Sequence, residues 1–238
     1  MNSILLEIIT FLRNPYFQTD RILNRKAKFQ YLLRLGFLTF LINIAFAIFV
    51  VIEKYILNKY GIEIKQAGID FNKTYAILFI ALFAPFYEEL LFRLPLSLRK
   101  RDTNVSLFTL LGIVGYNLTL FCDGLSLNRT ETSLVRFIFL FAGAGIVYLF
   151  NTLTEDSLEK TRASFGKYIV YGSIIIFALC HLSNVDNFDI QLLPLYLFNL
   201  LPILFLGIVF SFCRLHLGFF YGFLFHAAWN FLFGLVKI

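Results

Sequence analysis

The sequence predicts an all-α fold: a polytopic transmembrane helix bundle with about seven spans and an interfacial N-terminal helix. Of the 238 residues, 59% are hydrophobic, and the mean hydropathy is +0.76. Soluble domains carry a smaller apolar share. Several apolar runs are about 20 residues long, enough for a helix to cross the roughly 30 Å hydrocarbon core of a bilayer. Such runs have to be helical, because lipid offers no partners to backbone N–H and C=O groups.

The predicted elements follow the apolar runs along the chain. Residues 3–12 are apolar but too short to span, so they predict an interfacial helix. A basic and polar segment follows, and residues 1–31 therefore form a predicted N-terminal arm. Residues 32–238 form one predicted transmembrane domain without a soluble part or a repeat. The seven spans are placed at 32–52, 74–97, 104–122, 133–153, 166–185, 190–211 and 216–236.

The basic residues predict the orientation of the bundle. With the N-terminus inside, thirteen Lys and Arg residues fall in inside segments and seven in outside segments. An excess of basic residues is typical of cytoplasmic loops, so we expect the N-terminus inside and the C-terminus outside. The same loops explain the net charge of +6, and no nucleic acid is expected as a partner.

Six strongly polar side chains lie inside predicted spans. An ionisable group there costs about 2.5–3.5 kcal/mol on insertion scales, so those that are present are candidates for function. Glu88 precedes the basic cluster at Arg99 by eleven residues, which places it about 16 Å deep at 1.5 Å per residue. That is too deep for a carboxylate that merely reaches the surface. The six residues occupy three different spans: Glu88, Glu89, Arg93, His181, His226 and Asn230.

Helical geometry predicts different roles for the two adjacent carboxylates. Glu89 and Arg93 are four residues apart, lie on one helix face and can form an ion pair. Glu88 points about 100° away from Glu89 and need not share that pair. A carboxylate in low dielectric beside a second carboxylate is suited to accept a proton. We therefore predict Glu88 as a general base, with Glu89 and Arg93 as supporting residues.

The histidines and Asn230 predict the remaining part of a site. His226 and Asn230 are also four apart, and their side chains can donate hydrogen bonds to an oxyanion in the same cavity. His181 closes a turn that begins with Phe177. Either histidine alone is more often a packing or hydrogen-bonding residue. Their joint occurrence with Glu88 at compatible depth favours a functional site.

Three motifs together carry a family resemblance. They are Glu88-Glu89-x-x-x-Arg93, Phe177-x-x-x-His181 and His226-x-x-x-Asn230. In this order and on predicted spans, they resemble the CPBP family. That family includes the type II CAAX prenyl endopeptidases and the bacterial Abi proteins linked to bacteriocin processing and self-immunity. The resemblance covers about residues 74–236.

The resemblance implies a glutamate-dependent intramembrane endopeptidase that acts on a peptide or protein segment at the membrane. Carried over, Glu88 would activate a water with help from His181, and His226 and Asn230 would stabilise the tetrahedral oxyanion. The other motif residues would support the site. The Abi branch and the short loops indicate a bacterial cytoplasmic membrane, with membrane lipid as the surroundings. No oligomeric state is predicted.

The chain departs from the family pattern in two places. Leu94 follows the motif arginine, where the family often has Gly, and Pro95 comes next. The interval of 92 residues between Glu89 and His181 holds two complete predicted spans. In compact relatives the first two motifs lie on neighbouring helices, so the resemblance does not predict how the helices surround the site.

No cofactor is expected, and one metal alternative stays open. The sequence has no His-Glu-x-x-His zinc signature. Glu88, His181 and His226 could still supply three ligands for a catalytic zinc, which is the less favoured interpretation because they show no recognisable ligand spacing.

Two other functions are compatible with the same residues. A non-proteolytic immunity or partner-binding scaffold could retain the motifs without catalysis. A proton-coupled transporter could use buried Glu and His as a proton relay, although the sequence shows no inverted repeat.

Overall fold

The computed structural model describes residues 2–16, 24–60, 77–124, 129–185 and 189–234. These ranges are helical almost throughout, which confirms the predicted all-α fold. Two short 3-10 turns, His181–Asn184 and Ile190–Leu192, connect the longer elements. The α-helices are α1 (Asn2–Arg13), α2 (Arg25–Lys59), α3 (Ala84–Glu88), α4 (Lys100–Gly124), α5 (Arg129–Thr152), α6 (Glu155–Cys180), α7 (Leu193–Asn199), α8 (Leu201–His216) and α9 (Phe219–Gly234).

The prediction of about seven spans is not confirmed. By length and apolar composition, two described stretches can cross a membrane, Arg25–Lys59 and Glu155–Asn184. The number of spans rises to three if the helices Ile190–Asn199 and Leu201–His216, which meet at a bend of 45°, cross the membrane as one span. Other predicted spans do not correspond to a continuous helix long enough to cross a membrane. α9 has only 16 residues, and the described part of the span predicted at 74–97 is broken into several turns.

The N-terminal segment contains more helix than the predicted arm at 1–31. α1 confirms the helix expected at 3–12, whereas its interfacial position stays a prediction. α2 begins at Arg25, because the Asn24 side chain accepts from the Ala27 N–H at 2.8 Å and caps the helix. The Lys28 ammonium donates to the Leu217 carbonyl at 3.0 Å, which ties the start of α2 to the end of α8.

α8 lies at the centre of the hydrophobic core. It packs against α1, α2, α6 and α9, and its buried apolar side chains include Val209, Phe210 and Phe212. α2 is much less buried than α8, because only 17% of its most apolar stretch lies inside the protein. A helix that leaves so many large apolar side chains uncovered fits a surface that faces lipid rather than water.

We call residues 77–97 the broken helix, because they form a π turn, α3, a second π turn and a 3-10 turn in succession. Two prolines explain the interruptions, since proline has no N–H to donate. In the first π turn the Ala84 N–H bonds to the Phe79 carbonyl, five residues back. By the same spacing the Ile80 carbonyl would need an N–H from Pro85. The Ile80 carbonyl is therefore left for another donor.

Side chains from three other helices satisfy the carbonyl groups at the second interruption, before and around Pro95. The carbonyls of residues 91–94 accept from Ser106 on α4, Ser173 on α6 and Arg214 on α8. Arg214 serves two of them, at 3.2 and 3.4 Å. Irregular backbone at membrane depth is tolerated where neighbouring protein groups supply its hydrogen bonds in this way. The second π turn is thus held by the rest of the bundle.

Candidate active site

The broken helix faces α9, and this contact brings two motifs together. The His226 imidazole lies between both carboxylates. Its Nδ1 is 3.0 Å from Glu89 Oε1, and its Nε2 is 3.3 Å from Glu88 Oε2. One ring reaches both because its two nitrogens lie on different edges, although helical neighbours diverge by about 100°. The two carboxylates therefore share His226 as a partner, whereas the sequence predicted only that Glu88 need not share the pair of Glu89 with Arg93.

Exposure still separates the two carboxylates. The Glu89 side chain is fully buried, whereas the Glu88 side chain is 26% exposed. The His226 side chain is also buried, at 2% exposure. The Glu88 side chain is therefore partly accessible at the protein surface and the Glu89 side chain is not, and their reacting and supporting roles stay predictions.

Arg93 forms the expected ion pair only loosely. Its Nε lies 4.0 Å from Glu89 Oε1, and its guanidinium nitrogens make no hydrogen bond within the described part of the chain. The guanidinium instead lies 3.7 Å from the centroid of the Phe177 ring, a cation–π contact.

The buried cluster balances its charge if His226 carries two protons. Each ring nitrogen faces a carboxylate, so both can donate. The cluster then holds two negative charges, on Glu88 and Glu89, and two positive charges, on His226 and Arg93. Buried charges need such pairing, because an isolated one is strongly disfavoured.

Two features of the surrounding helices position this cluster. The Phe210 ring stacks on the His226 imidazole with centroids 3.9 Å apart and planes at 21°. Gly207 allows α8 to approach α6 closely, because a Cβ there would lie 3.2 Å from a ring carbon of Phe177 and 3.3 Å from a methyl carbon of Ile174.

His181 joins the site despite the long interval before it. α6 packs against the second π turn, and His181, which follows its last residue, is half-buried. The Phe177 ring lies near both histidines, with its centroid 4.8 Å from that of His181 and 6.1 Å from that of His226. The His181 Nδ1 lies 2.9 Å from the Phe177 carbonyl. A carbonyl only accepts, so Nδ1 carries a hydrogen, and in the neutral form of the ring Nε2 is then the nitrogen with the lone pair. The Phe177-x-x-x-His181 turn thus fixes the tautomer that a general base requires.

Asn230 contacts the broken helix rather than a carboxylate. Its Nδ2 donates to the Ile80 carbonyl at 3.2 Å, the group that Pro85 leaves without a helical donor. One amide hydrogen is therefore engaged, and the other remains for a second acceptor. Both nitrogens of His226 are also engaged, so the oxyanion role of His226 and Asn230 stays a prediction.

The zinc alternative also stays a prediction. Over the described ranges, no group of three or more His, Cys, Asp or Glu side chains is arranged to hold a metal ion. Glu88 and His226 contact each other directly at 3.3 Å.

The sequence did not indicate several residues that support the site. Pro85 and Pro95 inside one predicted span were a signal for a broken helix. The side chains that satisfy its carbonyls, such as Ser173 and Arg214, carry no local signal, because each comes from a distant helix. The stacking of Phe210 on the imidazole is likewise visible only in three dimensions.

Comparison with known proteins identifies the family. The family model described as Type II CAAX prenyl endopeptidase Rce1-like matches residues 70–232, more than half of the chain and the whole of the three motifs. The chain therefore belongs to this protease family, and the resemblance seen in its motifs is confirmed. Its family and its apolar helices together define a membrane protein. No curated protein and no solved structure matches the chain.

Proposed function

We propose that the protein is an intramembrane endopeptidase that hydrolyses a peptide bond with a water activated by Glu88 and His181. The observation that supports this most is the arrangement around Glu88. It is the partly exposed carboxylate of the cluster and contacts His226 at 3.3 Å, and the Phe177 ring lies near both His226 and His181. In a protease family, such a carboxylate is the natural proton acceptor.

In the proposed reaction, the water lies between the Glu88 carboxylate and the His181 Nε2. Glu88 takes one proton while the water oxygen bonds to the carbonyl carbon, and the π electrons of the carbonyl move to its oxygen. His226 and Asn230 donate hydrogen bonds to that oxyanion. The proton on Glu88 then passes to the leaving amine as the C–N bond breaks.

The charge on Glu88 couples these two steps. In the resting state the Glu88 carboxylate accepts a hydrogen bond from the His226 Nε2–H. Protonation of Glu88 removes that charge, so the N–H becomes available when the oxyanion forms. Glu89 keeps its contact with Nδ1 at 3.0 Å and so keeps the imidazole protonated and oriented. Arg93 in turn balances the charge of Glu89.

The proposed substrate is a peptide or protein segment that reaches the site from the membrane or its surface. The family description adds prenylated CAAX segments as a substrate class, which fits if the host prenylates its proteins. We place the protein in a bacterial cytoplasmic membrane, as the motif resemblance implies.

A second candidate is a scaffold that retains the motifs without cleaving a substrate. The observation that favours it is that both proposed oxyanion donors already have hydrogen-bond partners. His226 contacts the two carboxylates, and Asn230 donates to the Ile80 carbonyl. The two functions are distinguished by Glu88→Gln. A scaffold keeps its cellular phenotype with this change, whereas an enzyme loses it.

Asn230→Ala is expected to lower turnover about 10²–10³-fold, because it removes one donor from the oxyanion. The assay is cleavage of a farnesylated CAAX peptide by purified protein in detergent. Asn230→Asp is the matched variant, since it keeps the shape but cannot donate. Because the Asn230 amide also serves Ile80, the melting temperature of each variant is measured alongside. Unchanged turnover in both folded variants would rule out the oxyanion role.

We expect the N-terminus inside and the C-terminus outside. The segments that the basic residues assign to the inside lie close together in the structure. Arg214 Nη2 lies 2.7 Å from Oδ2 of Asp102, which follows the Arg99 cluster. The Lys28 ammonium donates to the Leu217 carbonyl. Their common side supports the assignment. Reporter fusions at Lys237 test it, and activity of a cytoplasmic reporter there would contradict it.

A further inference from the structure

A cavity of about 370 Å³ lies between the end of α1 and the first half of α6, apart from the site described above. Three cationic side chains line it, Arg13 from α1 and Arg162 and Lys167 from α6. Among the residues that the structure describes, Glu159 is the one carboxylate that lines it. The cavity therefore has an excess of two positive charges.

Specific packing builds one wall of this cavity. The Tyr16 hydroxyl donates to the Leu96 carbonyl at 2.8 Å, and burial raises the pKa of Tyr16 to about 12, so the hydroxyl stays protonated. The ring lies flush against Gly166, where a Cβ would be 2.5 Å from a ring carbon. The segment after α1 is thus fitted to α6.

Within the described part of the chain, protein groups neutralise Arg162 and Lys167 only weakly. The Arg162 Nη2 lies 3.5 Å from Glu159 Oε1, and these side chains are 44% and 73% exposed. An ion pair between side chains this exposed contributes little stabilisation. The Lys167 ammonium lies 4.9 Å from the centroid of the Tyr168 ring, which supplies no negative charge. An anion that enters the cavity therefore gains partners without breaking a strong ion pair.

An apolar surface runs from this cavity along α1. One face of α1 is buried through Ile4, Ile8 and Phe11. A second apolar face is uncovered, with Leu5, Ile9 and Leu12 exposed by 44%, 40% and 37% at the same helical spacing. This second face ends beside Arg13, at the mouth of the cavity.

We infer that the cavity binds the phosphate headgroup of an anionic phospholipid whose acyl chains lie along the uncovered face of α1. The positive excess supplies the partners for the phosphate, and Arg forms bidentate hydrogen bonds to phosphate oxygens. Basic pockets between helices of membrane proteins recognise lipid headgroups by this chemistry. The exposed apolar face distinguishes a lipid from a soluble phosphate. The site is independent of the proposed peptide hydrolysis.

Native mass spectrometry of the full chain in detergent, titrated with phosphatidylglycerol or phosphatidylcholine, tests the inference. Wild type is expected to retain phosphatidylglycerol in preference. The double variant Arg162→Gln/Lys167→Gln is expected to lose about tenfold or more in affinity for it, because two phosphate partners disappear. Lys160→Gln is the matched control, since it removes a charge from the same helix outside the cavity. Its affinity is expected to stay within about twofold of wild type, because an exposed charge outside the site contributes little.

Three outcomes would overturn the inference. The first is equal binding by the double variant and the Lys160→Gln control. The second is equal retention of the two lipids by wild type. The third concerns the source of the phosphate: if inorganic phosphate raises the melting temperature as much as phosphatidylglycerol at equal concentration, the ligand is a soluble anion. Melting curves also show whether the double variant is folded. Gly166→Ala provides a second, charge-neutral variant, which should weaken lipid binding by displacing Tyr16.

Discussion

Glu88→Gln is expected to lower the turnover of peptide cleavage by about two orders of magnitude or more, the usual contribution of a general base. Gln keeps the shape of the side chain but cannot take a proton from water. Substrate affinity should survive, because Glu88 is not assigned to binding the substrate ground state. The measurement is single-turnover cleavage of a farnesylated CAAX peptide by purified protein in detergent, with affinity measured separately.

The control for this variant is Glu155→Gln, which makes the same change at the exposed start of α6. It should cleave like wild type. Full activity of Glu88→Gln would refute the proposed mechanism. A strong chelator should leave wild-type cleavage unchanged. Complete inhibition that zinc reverses would instead make Glu88 a metal ligand or a metal-assisted base.

Arg93→Ala is expected to destabilise the protein by about 3–5 kcal/mol, because it leaves the two carboxylates of the buried cluster with a single cation, His226. Arg93 is itself fully buried, so the change also opens a cavity between Phe177 and Gly207. The folded yield in detergent should fall further than for Glu88→Gln, whose carboxylate is partly exposed. The measurement is folded yield by size-exclusion chromatography together with the melting temperature.

Two comparison variants separate charge from volume at this position. Arg93→Met fills most of the same space without the charge, so it should recover only part of the stability. Arg162→Ala removes an exposed arginine, 44% accessible, and should cost little. Equal folded yields for Arg93→Ala and Glu88→Gln would contradict the assignment of Arg93 to the charge balance of the cluster.

The sequence identified the residues of the candidate site but not their geometry. Charged and amide side chains in apolar runs are conspicuous, because burial in lipid is costly, so Glu88, His181 and His226 could be singled out. α-Helical spacing was then assumed for Glu89 and Arg93. The structure has a π turn there instead, and side chains of three other helices satisfy its carbonyl groups, which no local pattern shows.

The number of spans was harder to predict for a related reason. Apolar runs indicate helices, and the described helices do follow them, but the length of an apolar run does not show where a helix breaks. Pro85 and Pro95 interrupt one predicted span, and a 45° bend interrupts another before α8. Conversely, α2 extends seven residues before its predicted start, because a cap at Asn24 outweighs the polarity of the residues after it.

The central claim is that the protein cleaves peptide bonds through Glu88. Mass spectrometry of membrane peptides, from cells that carry the wild type or Glu88→Gln at equal protein abundance, tests it without an assumed substrate. We expect a set of peptides with new termini in wild-type membranes, with the uncleaved precursors accumulating in the variant. Identical peptide inventories in the two strains, together with an unchanged cellular phenotype, would contradict the claim and favour the scaffold.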